Sequence, residues 1–343
     1  MAALINAGHS RILHVYRGGR IGDPRKMLHI IANDYFLTHF LLESVSDRND
    51  ISVILHPKRK RGLRRSLLKF FDTAFSRWQG KSLIFDTDYV ERLKSIDKND
   101  SVLIFGIEQL SELRMVRRLI KAKRVTLFLW NPLLNRNRLE KHRRVYVESL
   151  KELANICTFD PDDAARFELQ LVPQVYRDVS ILQKEEFTPD VDVYFVGQDK
   201  GRLAELLRLE RLIQESGLTT HFHIIRDYRV SYAAEDLPHL STIGISYQDN
   251  IKMILRSRCL LELLQNNQSG LSMRSLEAVF FGKKLLTNNM RIVESELYDP
   301  ARVFLIGRDD HMRLRDFILS PCPTVSQTVL SRHDFKYWCE QFA

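Results

Sequence analysis

Gln268-Ser269-Gly270-Leu271-Ser272-Met273-Arg274-Ser275-Leu276-Glu277-Ala278-Val279-Phe280-Phe281-Gly282-Lys283-Lys284-Leu285-Leu286-Thr287-Asn288-Asn289 reads as a short Ser/Gly loop, one amphipathic helix, a glycine stop and an apolar strand. Ser269 or Ser272 can cap the helix, and Gly282 falls where a helix ends before Leu285-Leu286-Thr287. A loop feeding a helix N-terminus points backbone N–H groups and the positive dipole end outward, a natural seat for phosphate. Glu277 is placed to accept hydrogen bonds from the hydroxyls of whatever carries that phosphate. The plainer alternative is a capped helix with an acid near its start.

The 343 residues suffice for two domains with ample cores, and 44% hydrophobic content is ordinary for a water-soluble chain. No apolar run reaches the ~18–20 residues that span a bilayer. Met1-Ala2-Ala3-Leu4-Ile5-Asn6 lacks the basic region and long apolar core of a signal peptide. Cys157, Cys259, Cys322 and Cys339 are scattered without CxxC spacing, so neither zinc nor a disulfide framework is indicated, which suits a reducing cytoplasm. The net charge of +9 predicts affinity for a polyanion: nucleic acid, anionic lipid or a diphosphate.

Outward from the opening stretch, strands alternate with helices. Arg11-Ile12-Leu13-His14-Val15-Tyr16 reads as a first strand running into the Gly/Pro loop Arg17-Gly18-Gly19-Arg20-Ile21-Gly22-Asp23-Pro24. That loop lacks GxGxxG and Walker spacing, so it is read as lining a cleft. Residues 27–44 look helical, and Ile51-Ser52-Val53-Ile54-Leu55 is a second strand. The run Lys58-Arg59-Lys60-Arg61, with Arg64 and Arg65, leads into Leu63, Leu67, Phe70, Phe71, Ala74, Phe75 and Trp78 at helical spacing. Such a helix can lie on anionic headgroups or pack in the core with a solvated basic rim. Further strands are read at 102–106, 125–130 and 156–159, with helices at 108–121 and 137–153 and acids at Asp160-Pro161-Asp162-Asp163 that can cap the next helix. Near-continuous apolar strands alternating with helices predict parallel sheets covered on both faces.

Residues 171–189 have little periodicity and carry Pro173 and Pro189, which marks an interdomain linker. The alternation restarts at 191–196, followed by a loop from Gly197 to Gly201, a helix at 202–216 and a strand His221-Phe222-His223-Ile224-Ile225. No carboxylate or cysteine completes a metal site around His221 and His223, so the pair reads as structural. A helix capped by Ser246-Tyr247-Gln248-Asp249-Asn250, an apolar strand Cys259-Leu260-Leu261-Glu262-Leu263-Leu264, a last strand at 303–306 and an aromatic C-terminal helix at 334–342 complete the reading.

Gly270-Leu271-Ser272-Met273-Arg274-Ser275-Leu276-Glu277-Ala278, followed by Lys283-Lys284-Leu285-Leu286-Thr287, resembles the donor-binding segment of GT-B glycosyltransferases. Val193-Tyr194-Phe195-Val196-Gly197-Gln198-Asp199-Lys200-Gly201-Arg202 is similar to the first strand and basic loop of a GT-B donor domain. The whole layout resembles bacterial enzymes that build lipopolysaccharide, O-antigen or capsule. The resemblance implies an α/β chain of two Rossmann-like domains facing across a cleft. Their expected bounds are an acceptor domain at 1–172, a linker at 173–190, a donor domain at 191–323 and a C-terminal helix at 324–343 packing back on the first domain. It implies a hexosyltransferase-like enzyme moving a sugar from a nucleotide-sugar co-substrate, UDP being the guessed nucleotide, to a saccharide or lipid-linked acceptor.

No resident cofactor or metal is expected, since Lys200, Arg202 and Arg274 would neutralise the leaving diphosphate. The donor site would comprise Gly197, Lys200, Arg202, Ser269, Gly270, Ser272, Arg274 and Glu277, with Glu277 also counted as catalytic. Asp23 and Asp34 are alternative general bases, with His9 behind them. Asp86-Thr87-Asp88 is the one spacing that argues for a metal-dependent GT-A enzyme, and the two-halved layout argues against it. The expected location is cytoplasmic, with residues 58–78 a candidate attachment to the anionic inner face of the membrane. Two other functions fit the basic α/β composition: nucleic-acid binding, although no RRM, KH or zinc-finger signature is present and none is expected, and an inert scaffold in polysaccharide assembly.

Overall fold

A computed structural model of the chain describes residues 26–57, 86–133, 139–183, 188–265 and 268–343. The first described sheet is built by β1 (Leu28–Asn33), α1 (Phe36–Leu42), β2 (Ile51–His56), α2 (Thr87–Lys94), β3 (Ser101–Phe105), α3 (Leu110–Leu119), β4 (Arg124–Leu129), α4 (Glu140–Lys151), β5 (Asn155–Thr158), α5 (Pro161–Phe167) and β6 (Gln170–Leu171). Its order is β2-β1-β3-β4-β5-β6 and every pairing is parallel. The second contains β7 (Val191–Gln198), α6 (Leu203–Glu215), β8 (Thr220–Ile225), α7 (Tyr247–Arg256), β9 (Ser257–Glu262), α8 (Met273–Phe280), β10 (Lys284–Thr287), β11 (Val303–Leu305) and α9 (Leu314–Leu319). Its order is β11-β10-β9-β7-β8, again parallel throughout. Helices α10 (Gln327–His333) and α11 (Phe335–Trp338) close the chain. These are two Rossmann-like domains in the GT-B arrangement.

The strands read as apolar runs because both faces are covered. All five residues of β3 are buried, and the two faces of the first sheet belong to separate clusters around Ile104 and Phe105. The second sheet is likewise packed on both faces.

One expectation needs correction. Residues 27–44 do not form one helix: Leu28-His29-Ile30-Ile31-Ala32-Asn33 is the strand β1, and the helix begins only at Phe36. A short apolar run fits either element by pattern, and β1 is drawn into the sheet by parallel ladders with β2 and β3 on its two sides. The expected strand at 11–16, the Gly/Pro loop with Asp23, His9, and the basic amphipathic stretch at 58–78 lie outside the described residues.

The aperiodic stretch after β6 is packed rather than solvated. Val172, Val175, Tyr176 and Val179 are all buried. Tyr176 accepts from the Phe335 N–H at 2.8 Å and donates to the His333 carbonyl at 2.7 Å, so each passage of the chain between the domains braces the other. Phe335, Trp338 and Cys339 then enter the core of the first sheet. Instead of one helix over 334–342, the terminus forms α11 and a 3₁₀ turn at Cys339–Phe342, with the Asp334 side chain capping α11. Among the described residues no helix is long and apolar enough to cross a membrane.

Candidate functional site between the two domains

In each sheet the first strand lies between the second and third, as the orders β2-β1-β3 and β8-β7-β9 show. The connections leave β1 and β7 in opposite directions there. Such switch points open a crevice beyond the strand C-termini, where ligands of open parallel sheets bind. Contacts between the domains come from those ends: Asp160 after β5 meets Ser269 and Gly270, and Phe36 of α1 lies 5.7 Å from Tyr247 at the start of α7.

At the β7 end, Asp199 accepts from the N–H groups of Gly201 and Arg202 and from the Tyr232 hydroxyl, which folds the 199–202 turn tightly. The turn passes through positive φ at Lys200 (50°) and Gly201 (79°). Arg202 does not face solvent. Its guanidinium donates to the carbonyls of Asp199, Gln198 and Leu263 and so stitches β7 to β9 across the switch point. Gly197 is the penultimate residue of β7, beside Phe195. Lys200 is exposed and carries no hydrogen bond or ion pair among the described residues. Partial burial, then the charges of Arg202 and Arg229, hold its ammonium below the usual lysine value.

Two buried donors without a hydrogen-bond partner follow strands of this sheet: Arg226 Nε just beyond β8, its guanidinium over the Tyr232 ring, and Asn289 Nδ2 beyond β10. Asn289 is only 4% exposed. A hydrogen-bonding group buried without a partner costs about 1–3 kcal/mol, which a water or a bound ligand offsets. Lys200, Arg226 and Asn289 thus place donors at the C-terminal ends of β7, β8 and β10.

The Ser269–Arg274 loop is held differently from the sequence expectation of an open phosphate seat. Ser272 Oγ caps α8 through the Arg274 N–H at 3.0 Å. The N–H groups of Ser269 and Gly270 both point at the Asp160 carboxylate, at 3.1 and 3.0 Å. Arg274 folds back, pairing with Glu277 at 2.6 Å, donating to the Val196 carbonyl and lying over the Tyr194 ring.

Glu277 is buried beneath the crevice. Its Oε1 accepts from the Tyr247 hydroxyl at 2.9 Å and Asn250 Nδ2 at 3.1 Å, and its Oε2 faces Arg274. Tyr176 extends the chain by donating to the Tyr247 oxygen at 2.6 Å. Burial, reinforced by the Glu277 charge, drives both phenols well above their ordinary value, so both keep their protons and act as donors.

A second buried acid was not singled out from sequence. Glu262, the last residue of β9, accepts from the hydroxyls of Ser272, Ser275 and Thr287 and thereby ties α8 to β9 and β10. The available signal was one acid in the run Cys259-Leu260-Leu261-Glu262-Leu263-Leu264, with serines three apart on the following helix. Glu262→Ala is expected to cost about 3 kcal/mol by leaving the buried Ser275 and Thr287 hydroxyls and the half-buried Ser272 hydroxyl without their charged acceptor. Glu262→Gln should recover part of that in urea unfolding, and wild-type stability of the Ala variant would contradict the assignment.

On the facing domain, Asp34 follows β1 and binds His39 Nε2 at 2.6 Å. Both side chains are partly open to solvent. Beside them, Tyr35 (48%) and Phe36 (49%) expose their rings. Asn33 bridges β1 to β3 by donating to the Gly106 carbonyl at 2.8 Å, and Gly106 (φ 71°) has no room for a side chain against it. Asp86 accepts from the Asp88 N–H as the cap of α2. Among the described residues no three His, Cys, Asp or Glu side chains are grouped to hold a metal ion.

AviGT4, a glycosyltransferase involved in avilamycin A biosynthesis, has a similar structure: TM-score 0.54 at 11% identity, over 92% of this chain and 96% of that one. HepE of Anabaena, in complex with UDP and glucose, gives 0.48 at 11% identity over 91% and 95%. WaaG, a glycosyltransferase involved in lipopolysaccharide biosynthesis, gives 0.44 at 13% identity over 92% and 96%. AviGT4 supports the shared fold, whereas the other two likenesses are too loose to carry an argument. No protein-family model matches the sequence, and no curated protein matches it.

Proposed function

We propose that the protein is a glycosyltransferase that moves a sugar from a nucleotide-sugar donor to a saccharide acceptor. The observation that carries this is the set of donors at the C-terminal ends of β7, β8 and β10, exposed Lys200 with Arg226 Nε and Asn289 Nδ2, the last two buried without a hydrogen-bond partner. Such a set suits an anionic, oxygen-rich ligand such as a diphosphate. The fold shared with AviGT4 agrees with it.

In the proposed reaction an acceptor hydroxyl oxygen attacks the anomeric carbon. The bond from that carbon to the diphosphate oxygen breaks, and the diphosphate leaves with the electron pair. Lys200 and Arg226 offset the charge that develops, which lets the step proceed without a metal. Asp34, oriented by His39, takes the hydroxyl proton if the anomeric centre inverts; Asp23 remains the alternative base. Glu277 serves the donor side from below by fixing Arg274 and Tyr247. Tyr35 and Phe36 offer rings on which a sugar face can stack. The acceptor proposed is a lipopolysaccharide, O-antigen or capsule saccharide at the inner membrane face, with residues 58–78 as the attachment.

The test is the thermal shift of purified protein with UDP, GDP, CDP and CMP, with and without EDTA. One nucleotide is expected to stabilise regardless of EDTA, and Lys200→Ala should weaken its binding about tenfold, the worth of one charge-assisted contact. No shift with any nucleotide would remove the donor-site assignment and favour an inert scaffold. Salt-sensitive retention on DNA without a nucleotide shift would favour a nucleic-acid role. Phe36→Ala should leave the melting temperature within about a degree and raise the acceptor KM, since an exposed ring contributes little to folding. An unchanged KM would take the ring out of the acceptor site.

A further inference from the structure

Asp160 follows β5 in the first domain, yet three of the five hydrogen bonds to its carboxylate come from the second domain. Oδ1 accepts from the N–H groups of Asp162 (3.0 Å) and Asp163 (3.1 Å) in the first turn of α5, and from Ser269 Oγ at 2.8 Å. Oδ2 accepts from the N–H groups of Ser269 (3.1 Å) and Gly270 (3.0 Å) in the second domain. The residue is 1% exposed. A charge this deeply desolvated is tolerated because five donors from two domains converge on it.

The surroundings are closely packed. A Cβ on Gly270 would lie 2.8 Å from the Phe159 ring and 3.0 Å from the Phe159 carbonyl oxygen, so the two backbones touch and only glycine fits. The Asp162 N–H reaches Ser269 Oγ at 3.4 Å, and Asp162 pairs with Arg291. The domains are also fastened where the chain passes between them, at Tyr176 with His333 and Phe335. The domains also meet where Phe36 and Phe40 of α1 lie against Tyr247, so Asp160 is the fastening that fixes the loop before α8 in particular.

We propose that Asp160 is a positioning residue that pins the loop before α8 to the first domain and serves as a fixed pivot for the cleft. Ser269 and Gly270 then hold the neighbouring domain and not the donor's phosphates. Resting on the functional reading above, this leaves the diphosphate to Lys200, Arg226 and Asn289. The competing idea is that phosphate displaces the carboxylate from an anion seat. Close packing and the five hydrogen bonds on the two oxygens favour the pivot, because displacement would strand a buried charge.

The test compares full-length wild type with Asp160→Asn, Ser269→Ala and Gly270→Ala, using Arg208→Ala, an exposed residue paired within α6, as a surface control. Ser269→Ala and Gly270→Ala leave the α5 cap intact, so loss of folding in Asp160→Asn alone does not decide the matter. Small-angle scattering should show a larger radius of gyration for the joint variants, Gly270→Ala most of all, with the control unchanged. With the donor that the nucleotide screen selects, kcat should fall about tenfold or more, with KM for that donor near its wild-type value, as expected when the mutual placement of bound groups is lost. Titrated inorganic pyrophosphate should bind Asp160→Asn no more tightly than wild type. Binding about tenfold tighter would overturn the pivot, since removing an internal competitor raises apparent affinity by the fraction of seats it had filled. Unchanged scattering in all three joint variants would overturn it as well. The scattering needs no nucleotide, so it judges the pivot even if no nucleotide binds.

Discussion

Glu277→Ala is expected to destabilise the second domain by about 3–5 kcal/mol, the cost of stranding one half of a buried ion pair. The Arg274 side chain is 14% exposed and loses its counter-charge. Tyr247 and Asn250 lose the acceptor they share, and Tyr176 loses the last link of its hydroxyl chain. None of these groups can turn to water without opening the packing around α8. Glu277→Gln keeps an oxygen for Tyr247 and Asn250 but not the charge facing Arg274, so its loss should fall between wild type and Ala. Urea unfolding of the second domain measures this. Nucleotide affinity recorded where both variants remain folded then separates support of the fold from support of the donor. If Glu277→Ala unfolds like wild type, the buried network is not what holds α8.

Trp338→Ala is expected to cost about 3–5 kcal/mol, the usual range for removing a buried large aromatic ring. Trp338 is 2% exposed, lies 5.0 Å from the Phe128 ring and 4.9 Å from Phe342, and donates to the Pro173 carbonyl at 2.9 Å. Its loss empties a site within the first domain's core that the end of the chain fills. It also removes a bond to the stretch leading into the second domain. The first domain should therefore melt earlier, and the C-terminal segment should gain hydrogen exchange. Trp338→Phe keeps part of the ring volume without the donor and should lose less. Equal exchange in wild type and Trp338→Ala would show that the segment is held elsewhere.

Most strands and helices of both sheets were legible because each carries its own pattern. β3, β4 and β10 are apolar runs that stop at or just before Gly106, Asn131 and Asn288, and α8 is framed by Ser272 and Gly282. β1 was not legible. Leu28-His29-Ile30-Ile31-Ala32-Asn33 is followed within three residues by a true helix, and the polar pair Asn33-Asp34 at their junction also fits the solvent side of one continuous helix. Only its pairing with β2 and β3 distinguishes it.

The candidate site was legible in residue type more than in role. Lys200 stands at the open edge of the crevice, whereas Arg202, two residues on, is turned inward to join β7 and β9. Both look the same as basic residues in a loop after a strand. Glu277 was legible as an acid on the helix, but its three protein partners come from α7 and α8 and could not be counted from sequence. Asp160 was legible as a helix cap, the local half of its bonding.

The sequence by itself determined the alternation of strand and helix, the two-part α/β layout and the capped helix after the Ser/Gly loop. Those features depend on residues a few positions apart, whose spacing is fixed by backbone geometry. The tertiary structure alone decided where the loop's N–H groups point, which basic residue of the 199–202 turn stays at the open edge and which acid binds the domains together. Ser269 and Asp160 are 109 residues apart in the chain. A bond over that separation leaves no periodicity to read, because it exists only once both sheets have formed and brought their C-terminal edges face to face.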